Sequence, residues 1–102
     1  MGCYNIPDLL KLLRNERGES IKLDVGLPPT LVVKGELYEV EGPEIVEESM
    51  EEMLRTVAST RDMRTFRASG SVDIIVPFQE SRFLVRAVRA FGICRLGLFV
   101  SR

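Results

Sequence analysis

Histidine and tryptophan are both absent from the 102 residues of this chain. Without histidine there is no side chain that ordinarily changes charge near neutral pH, and the commonest general base and metal ligand is gone with it. The two cysteines, Cys3 and Cys94, lie at opposite ends of the sequence and form no ligand cluster, so neither a zinc site nor a disulfide framework is expected. Cys3 falls in a terminus expected to fray and Cys94 in an apolar strand, a usage that suits a reduced, cytoplasmic setting. No apolar run reaches the roughly 20 residues of a membrane span, and no charged-then-apolar start reads as a signal peptide. Met1-Gly2-Cys3 looks like the beginning of an acylation motif, but Ile6 stands where such motifs need Ser or Thr. Carboxylates are plentiful, Asp24 and Asp73 among them, yet no histidine and no activated nucleophile accompanies them. Neither catalysis nor a bound cofactor is therefore expected.

A net charge of −1 argues against a general nucleic-acid binder and against insertion into or adsorption on a membrane. The charge is nevertheless segregated. Glu36, Glu39, Glu41, Glu44, Glu47, Glu48, Glu51 and Glu52 follow one another with no base between them, whereas from Arg55 onward the chain is arginine-rich against only Asp62, Asp73 and Glu80. Such a distribution reads either as internal complementarity or as a bipolar surface that meets a partner or a second copy.

The stretch from Ser20 to Val40 organises the chain. Ile21, Leu23 and Val25 alternate with polar residues, as a strand with one buried face requires. Gly26-Leu27-Pro28-Pro29 interrupts it, because consecutive prolines have no N–H for a ladder and fix φ near −65°. The strand pattern resumes at Thr30, and Lys34-Gly35-Glu36 reverses the chain with Gly35 free to take positive φ. Gly26, Pro28, Pro29 and Gly35 are thus the structural turn residues.

Around this core sequence, Asn5 caps a helix from about Ile6 to Glu16 with Ile6, Leu9, Leu10 and Leu13 on one face and Gly18 ending it. Ile45-Val46 suits a short extended piece. Ser49 to Glu52 reads as a capping box for a second helix, although Glu47 and Glu48 would equally suit its first turn. Met50, Met53, Leu54 and Val57 line its apolar side. A third helix starts at Ser59 and stops at Ser69-Gly70. Val72, Ile74 and Val76 alternate in a strand; Pro77 to Ser81 is expected to turn; Phe83, Val85 and Ala87 form the next; Arg89 breaks its parity. Cys94, Leu96, Leu98 and Val100 line one side of a last strand in which Gly97 leaves room for a close neighbour. The class is α+β: one domain over residues 1–102, with about three helices and a largely antiparallel sheet of about five to six strands.

Arg82 and Arg86 project from the same side of one strand, with Arg89 and Arg95 following across the next turn. These four are the candidate interaction residues. They either bridge to the Glu36 to Glu52 run or anchor the acidic face of a protein partner, a task for which the arginine fork is well shaped.

Several stretches carry a resemblance. Asp8-Leu9-Leu10, Gly26-Leu27-Pro28-Pro29 with the apolar strand running to Gly35, the helix pair with Leu54 and Phe66, Asp73 opening an apolar strand, and Arg82-Phe83-Leu84-Val85 resemble the N-terminal domain of the PilT/PilB/GspE family. These are the twitching-motility and type II/IV secretion ATPases of bacteria. The resemblance spans essentially the whole chain, and Gly-Leu-Pro-Pro with Gly35 is its specific part. It implies a PAS-like domain that precedes a RecA-like motor core in a six-fold assembly. The departures are as informative. No Gly-x-x-x-x-Gly-Lys-Ser/Thr loop is present, so ATP hydrolysis by this chain alone is not expected. Ser20 and Lys22 stand where the family tends to carry an Asp-x-His pattern, and family arginines that reach toward phosphate align with Val32, Leu84 and one of Phe99 or Val100. What the resemblance implies is a non-catalytic interaction or regulatory module, an adaptor or assembly factor for type IV pilus or secretion machinery or for self-association. The alternatives are a PAS-like sensor holding a small ligand and a fragment of a full-length hexameric ATPase.

Overall fold

The computed structural model describes residues 4–101; Cys3 and the acylation-like start lie outside them. Helix α1 (Ile6–Asn15) begins where the sequence places it, with the Asp8 N–H donating to the Asn5 side chain at 2.9 Å. Ile6, Leu9, Leu10 and Leu13 are all buried beneath it. The helix ends before Gly18, because Arg17 takes the left-handed turn with φ 53°. Gly18 answers a packing demand instead, since a Cβ there would stand 2.7 Å from Leu31 Cδ1 and 2.9 Å from Leu13 Cδ1.

Three strands follow, β1 (Ser20–Leu23), β2 (Thr30–Val33) and β3 (Glu36–Glu39), then helices α2 (Glu47–Val57) and α3 (Thr60–Ser69), then β4 (Ser71–Phe78), β5 (Ser81–Ala90) and β6 (Ile93–Ser101). All six strands form one antiparallel sheet in the order β3-β2-β1-β6-β5-β4. The closing contact is β6 against β1, which sets Leu98 beside Ile21 and Leu96 beside Leu23. Those side chains, with Leu31, Ile74, Phe83, Val85, Ala87 and Cys94, make the sheet's contribution to a single core roofed by the helices. Phe66 of α3 and Met50 and Leu54 of α2 fill it from above, each no more than 1% exposed.

The Gly26-Leu27-Pro28-Pro29 excursion does more than interrupt a strand. Val25 makes a parallel bridge to Ile45, the Gly26 N–H donates to the Ile45 carbonyl at 2.8 Å, and the Ile45 N–H donates to the Leu27 carbonyl at 3.0 Å. Ile45 is thereby pinned in extended form, Val46 becomes the N-cap, and α2 starts directly at Glu47. The Ser49 capping box consequently does not form; Glu47 and Glu48 occupy the first turn, where carboxylates complement the exposed N–H groups. The capping box at Ser59 and Asp62 is present, and Gly70 closes α3 with φ 80°.

A second difference concerns Pro77. The strand β4 runs through it to Phe78, and the turn is only Gln79-Glu80, with φ 46° and 65°, the two-residue hairpin geometry that matches strand twist. Pro77 is tolerated because β4 is an edge strand, where a missing N–H on the outer side interrupts no ladder.

Candidate functional site: the uncovered sheet face

The three helices share one face of the sheet, and the opposite face has no chain over it among the described residues. The register defines what this face displays. Leu37 lies opposite Val32 and Val32 opposite Ser20. Ser20 in turn lies opposite Phe99, Phe99 opposite Leu84, and Leu84 opposite Ile75. One row therefore crosses every strand, apolar except at Ser20. Its ends are open, with Leu37 at 65% and Ile75 at 54% exposure, whereas Val32 and Ser20 are shielded by their neighbours.

The adjoining row is polar: Thr30, Lys22, Gly97, Arg86 and Asp73 stand side by side. Gly97 is required here because the Phe99 ring folds across it; a Cβ would meet the ring edge at 2.7 Å. The close neighbour that Gly97 admits is thus a residue of its own strand. Arg86 completes the arrangement, its guanidinium 5.8 Å from the Phe99 centroid.

Arg86 also forks onto Asp73 across the β4–β5 pair, with Nε donating to Oδ1 at 2.9 Å and Nη2 to Oδ2 at 3.2 Å. That hydrogen bonding holds the Asp73 carboxyl below its usual range, partly opposed by desolvation, and raises Arg86 in turn. Arg95 donates to the Asp24 carboxylate on the same face. Lys22 and Arg82 make no ion pair among the described residues.

Of the four arginines singled out in the sequence, the sheet brings Arg82, Arg86 and Arg95 to the uncovered face. Arg89 goes to the other. The parity of β5 does not break at this residue: Phe83, Val85, Ala87 and Arg89 point the same way, and Arg89 projects on the helix side of the strand while staying exposed. There its guanidinium stands 4.8 Å from the Phe66 centroid and 3.7 Å from the Glu51 carboxylate. Glu51 also meets Arg55 at 3.6 Å. Arg86 and Arg95 find their carboxylates elsewhere, on β4 and just past the end of β1.

The turn residues hold the β2–β3 hairpin in place. Gly26 and Gly35 have φ 90° and 79°, the Gly35 N–H donates to the Glu19 carboxylate at 3.0 Å, and the Pro29 carbonyl accepts from the Val40 N–H at 2.8 Å. The apolar row itself went unrecognised in the sequence. Its trace is there in the neighbouring pairs Ile74-Ile75, Phe83-Leu84 and Leu98-Phe99, where strands carry apolar groups at both parities. Among the described residues no group of His, Cys, Asp and Glu stands together as a metal site, and no helix is long and apolar enough to cross a membrane.

An antiparallel six-stranded sheet with its three helices on one face is the fold of the N-terminal domain of PilT-type ATPases. The solved structure of the pilus retraction motor PilT with bound ADP matches 97% of this chain with a TM-score of 0.86 at 19% identity, and the match takes in 29% of that chain. The ATPase DotB of Legionella pneumophila matches 92% with a TM-score of 0.76 at 14% identity, over 27% of its own length. DotB of Yersinia pseudotuberculosis matches 94% with a TM-score of 0.65 at 16% identity, over 29% of its length. No family model matches the chain, and no curated protein matches it by sequence. The fold agrees with the resemblance read from the sequence. Of the positions that the resemblance aligns with phosphate-reaching arginines, Val32 and Leu84 lie in the apolar row; of the two alternatives for the third, Phe99 lies in it too and Val100 has the opposite parity.

Proposed function

We propose that this chain is a non-catalytic protein-interaction module with an adaptor or assembly role, serving type IV pilus or secretion machinery in the bacterial cytoplasm. Its docking surface is the uncovered sheet face. The partner is a protein with an apolar centre, matched to Leu84, Phe99 and Ile75, and an acidic rim, matched to Arg82 and Lys22, which make no ion pair among the described residues. The carrying observation is the row that crosses all six strands without a cover. The exposed apolar groups at the two ends of this row, Leu37 and Ile75, leave water in contact with surface that a partner would remove, and arginine at its border favours carboxylates. Apolar groups at Val32, Leu84 and Phe99 cannot offer charge-assisted hydrogen bonds to phosphate, which favours protein over nucleotide as the occupant.

The test is affinity capture with the purified chain and with a variant carrying Arg82→Glu and Lys22→Glu. Recovery of an identified pilus or secretion motor protein by the first and its loss with the second is the expected result. Turnover of ATP by the purified chain, or equal capture by both forms, overturns the proposal.

The share of the matched ATPases that is covered, 27% to 29%, favours a second reading in which these residues are one domain of a longer motor. Sequencing the reading frame downstream of Arg102 decides between them.

A further inference from the structure

The sheet has two free edges, β3 and β4, and they differ. In an antiparallel ladder only alternate residue pairs exchange hydrogen bonds. Val40 donates to Pro29, and the register then makes Leu31 with Tyr38 and Val33 with Glu36 the bonded pairs. Leu37 and Glu39 therefore turn their N–H and C=O groups outward, away from β2. On β4 the same logic, starting from the Arg89 N–H to the Gly70 carbonyl, turns Ser71, Asp73, Ile75 and Pro77 outward; the proline removes one donor from that edge. No proline guards β3.

All four residues of β3 are exposed. Leu37 shows 65% of its surface on the open face and Tyr38 shows 50% on the helix face. Beneath Tyr38 lies a cleft of about 430 Å³ between the hairpin and α1, floored by Leu12, Leu31, Val33 and Val40; its charged lining residues are all carboxylates, Glu16, Glu39 and Glu41. Glu36, which accepts from the Tyr38 hydroxyl, adds a further negative charge.

From this edge and its surroundings we infer that β3 is a second docking site, which takes an extended basic segment of another protein as an added strand. An added strand alternates its side chains, so an apolar core of the segment meets Leu37 on one face and the Tyr38 cleft on the other, while flanking Lys or Arg meets the carboxylates. Charge also decides against the nearest competitors. Pairing β3 with β3 of a second copy would set Glu36 and Glu39 against their own kind, and β4 of a second copy would bring Asp73 and no base. The site deepens the interaction-module reading but lies at the β3 edge and shares only Leu37 with the arginine face.

The probe is a fluorescein-labelled peptide, Arg-Lys-Val-Ile-Val-Lys-Arg, titrated into the full chain by anisotropy, with amide shifts and hydrogen exchange followed by NMR. Saturable binding that protects the Leu37 and Glu39 amides is expected. Leu37→Pro removes an outward donor without touching the β2 ladder and weakens binding about tenfold. Glu39→Lys with Glu41→Lys weakens it about tenfold and flattens its salt dependence. Where Leu37→Pro fails to fold, N-methylation of alternate peptide bonds asks the same question from the ligand's side. Arg82→Glu with Lys22→Glu leaves peptide binding unchanged, which separates this site from the open face. Equal binding of the counterpart with Glu in place of Lys and Arg, shifts confined to other strands, or no binding overturns the inference.

Discussion

The Arg89 guanidinium lies 4.8 Å from the centroid of the Phe66 ring, on the side of β5 that the helices cover. This contact takes the arginine out of the candidate docking stripe and makes it part of the packing between α2, α3 and the sheet. Its stem covers apolar surface while its head meets Glu51. Arg89→Ala is expected to lower stability by about 1–2 kcal/mol in urea denaturation. Arg82→Ala, on the uncovered face, leaves the urea midpoint nearly where it was.

Gly18 and Arg17 make a paired test of where the end of α1 is constrained. Gly18→Ala forces a methyl into Leu31 and Leu13 and costs about 1–3 kcal/mol. Arg17→Gly relieves a left-handed backbone, φ 53°, and stabilises by about 1 kcal/mol. Were Gly18 the left-handed residue instead, Gly18→Ala would still destabilise, but Arg17→Gly would cost stability rather than add it. Thermal and urea melts of both variants separate the two.

Asp73 gives the acid limb of stability a specific origin. Its folded pKa lies below the unfolded value of about 3.9 because Arg86 hydrogen-bonds the ionised form. The unfolded chain therefore takes up the proton first as pH falls. The contribution is fully present above the unfolded value and is lost as pH drops through the folded one. The pair is half exposed, 51% and 52% for the two side chains, so solvent screening keeps it small. Asp73→Asn is expected to leave less loss of stability between pH 5 and pH 2, in roughly the window that linkage assigns to such a carboxylate. Urea midpoints measured across that range provide the check.

Cys94 is 2% exposed, and burial pushes its thiol up from the ordinary value, partly offset by the nearby Arg89. Little thiolate forms at pH 8, and reagent has no path to it in the folded chain. Alkylation by iodoacetamide is expected to be slow at first and to accelerate in step with urea unfolding. Mass spectrometry of the peptide containing Cys94 follows it.

The β4–β5 turn holds two non-glycine residues at positive φ. Gln79 also accepts from the Arg14 side chain, at 2.9 Å to its carbonyl and 3.1 Å to Oε1, which ties the turn to α1. Glu80 has no such duty and stands at φ 65°. Glu80→Gly is accordingly expected to stabilise by about 1 kcal/mol, whereas Gln79→Gly gains less because it gives up the side-chain contact with Arg14. Differential scanning calorimetry distinguishes the two.

Much of this was legible in the residues themselves. Asn5 with Ile6, Leu9, Leu10 and Leu13, the Ser59 to Asp62 box, and the reversal at Lys34-Gly35 are decided within a few residues of chain, where dihedral preference and side-chain periodicity act directly. The segregation of glutamate from arginine is likewise a property of the sequence. Pro77 misled because proline's cost depends on whether its strand lies at an edge; of the two starts the sequence left open for α2, the Ser49 box and a first turn at Glu47-Glu48, the second holds because Ile45 is fixed by a loop nearly twenty residues upstream. Only the tertiary fold, by laying β6 against β1, brought Ser20 beside Phe99 and so assembled the apolar row. Arg86 meets Asp73 through the register of the β4–β5 hairpin, but the strand order decided that Arg95 meets Asp24 and the placement of the helices that Arg89 meets Phe66. The last two partners are set by strand order and by which face the helices take, and local spacing carries no record of either.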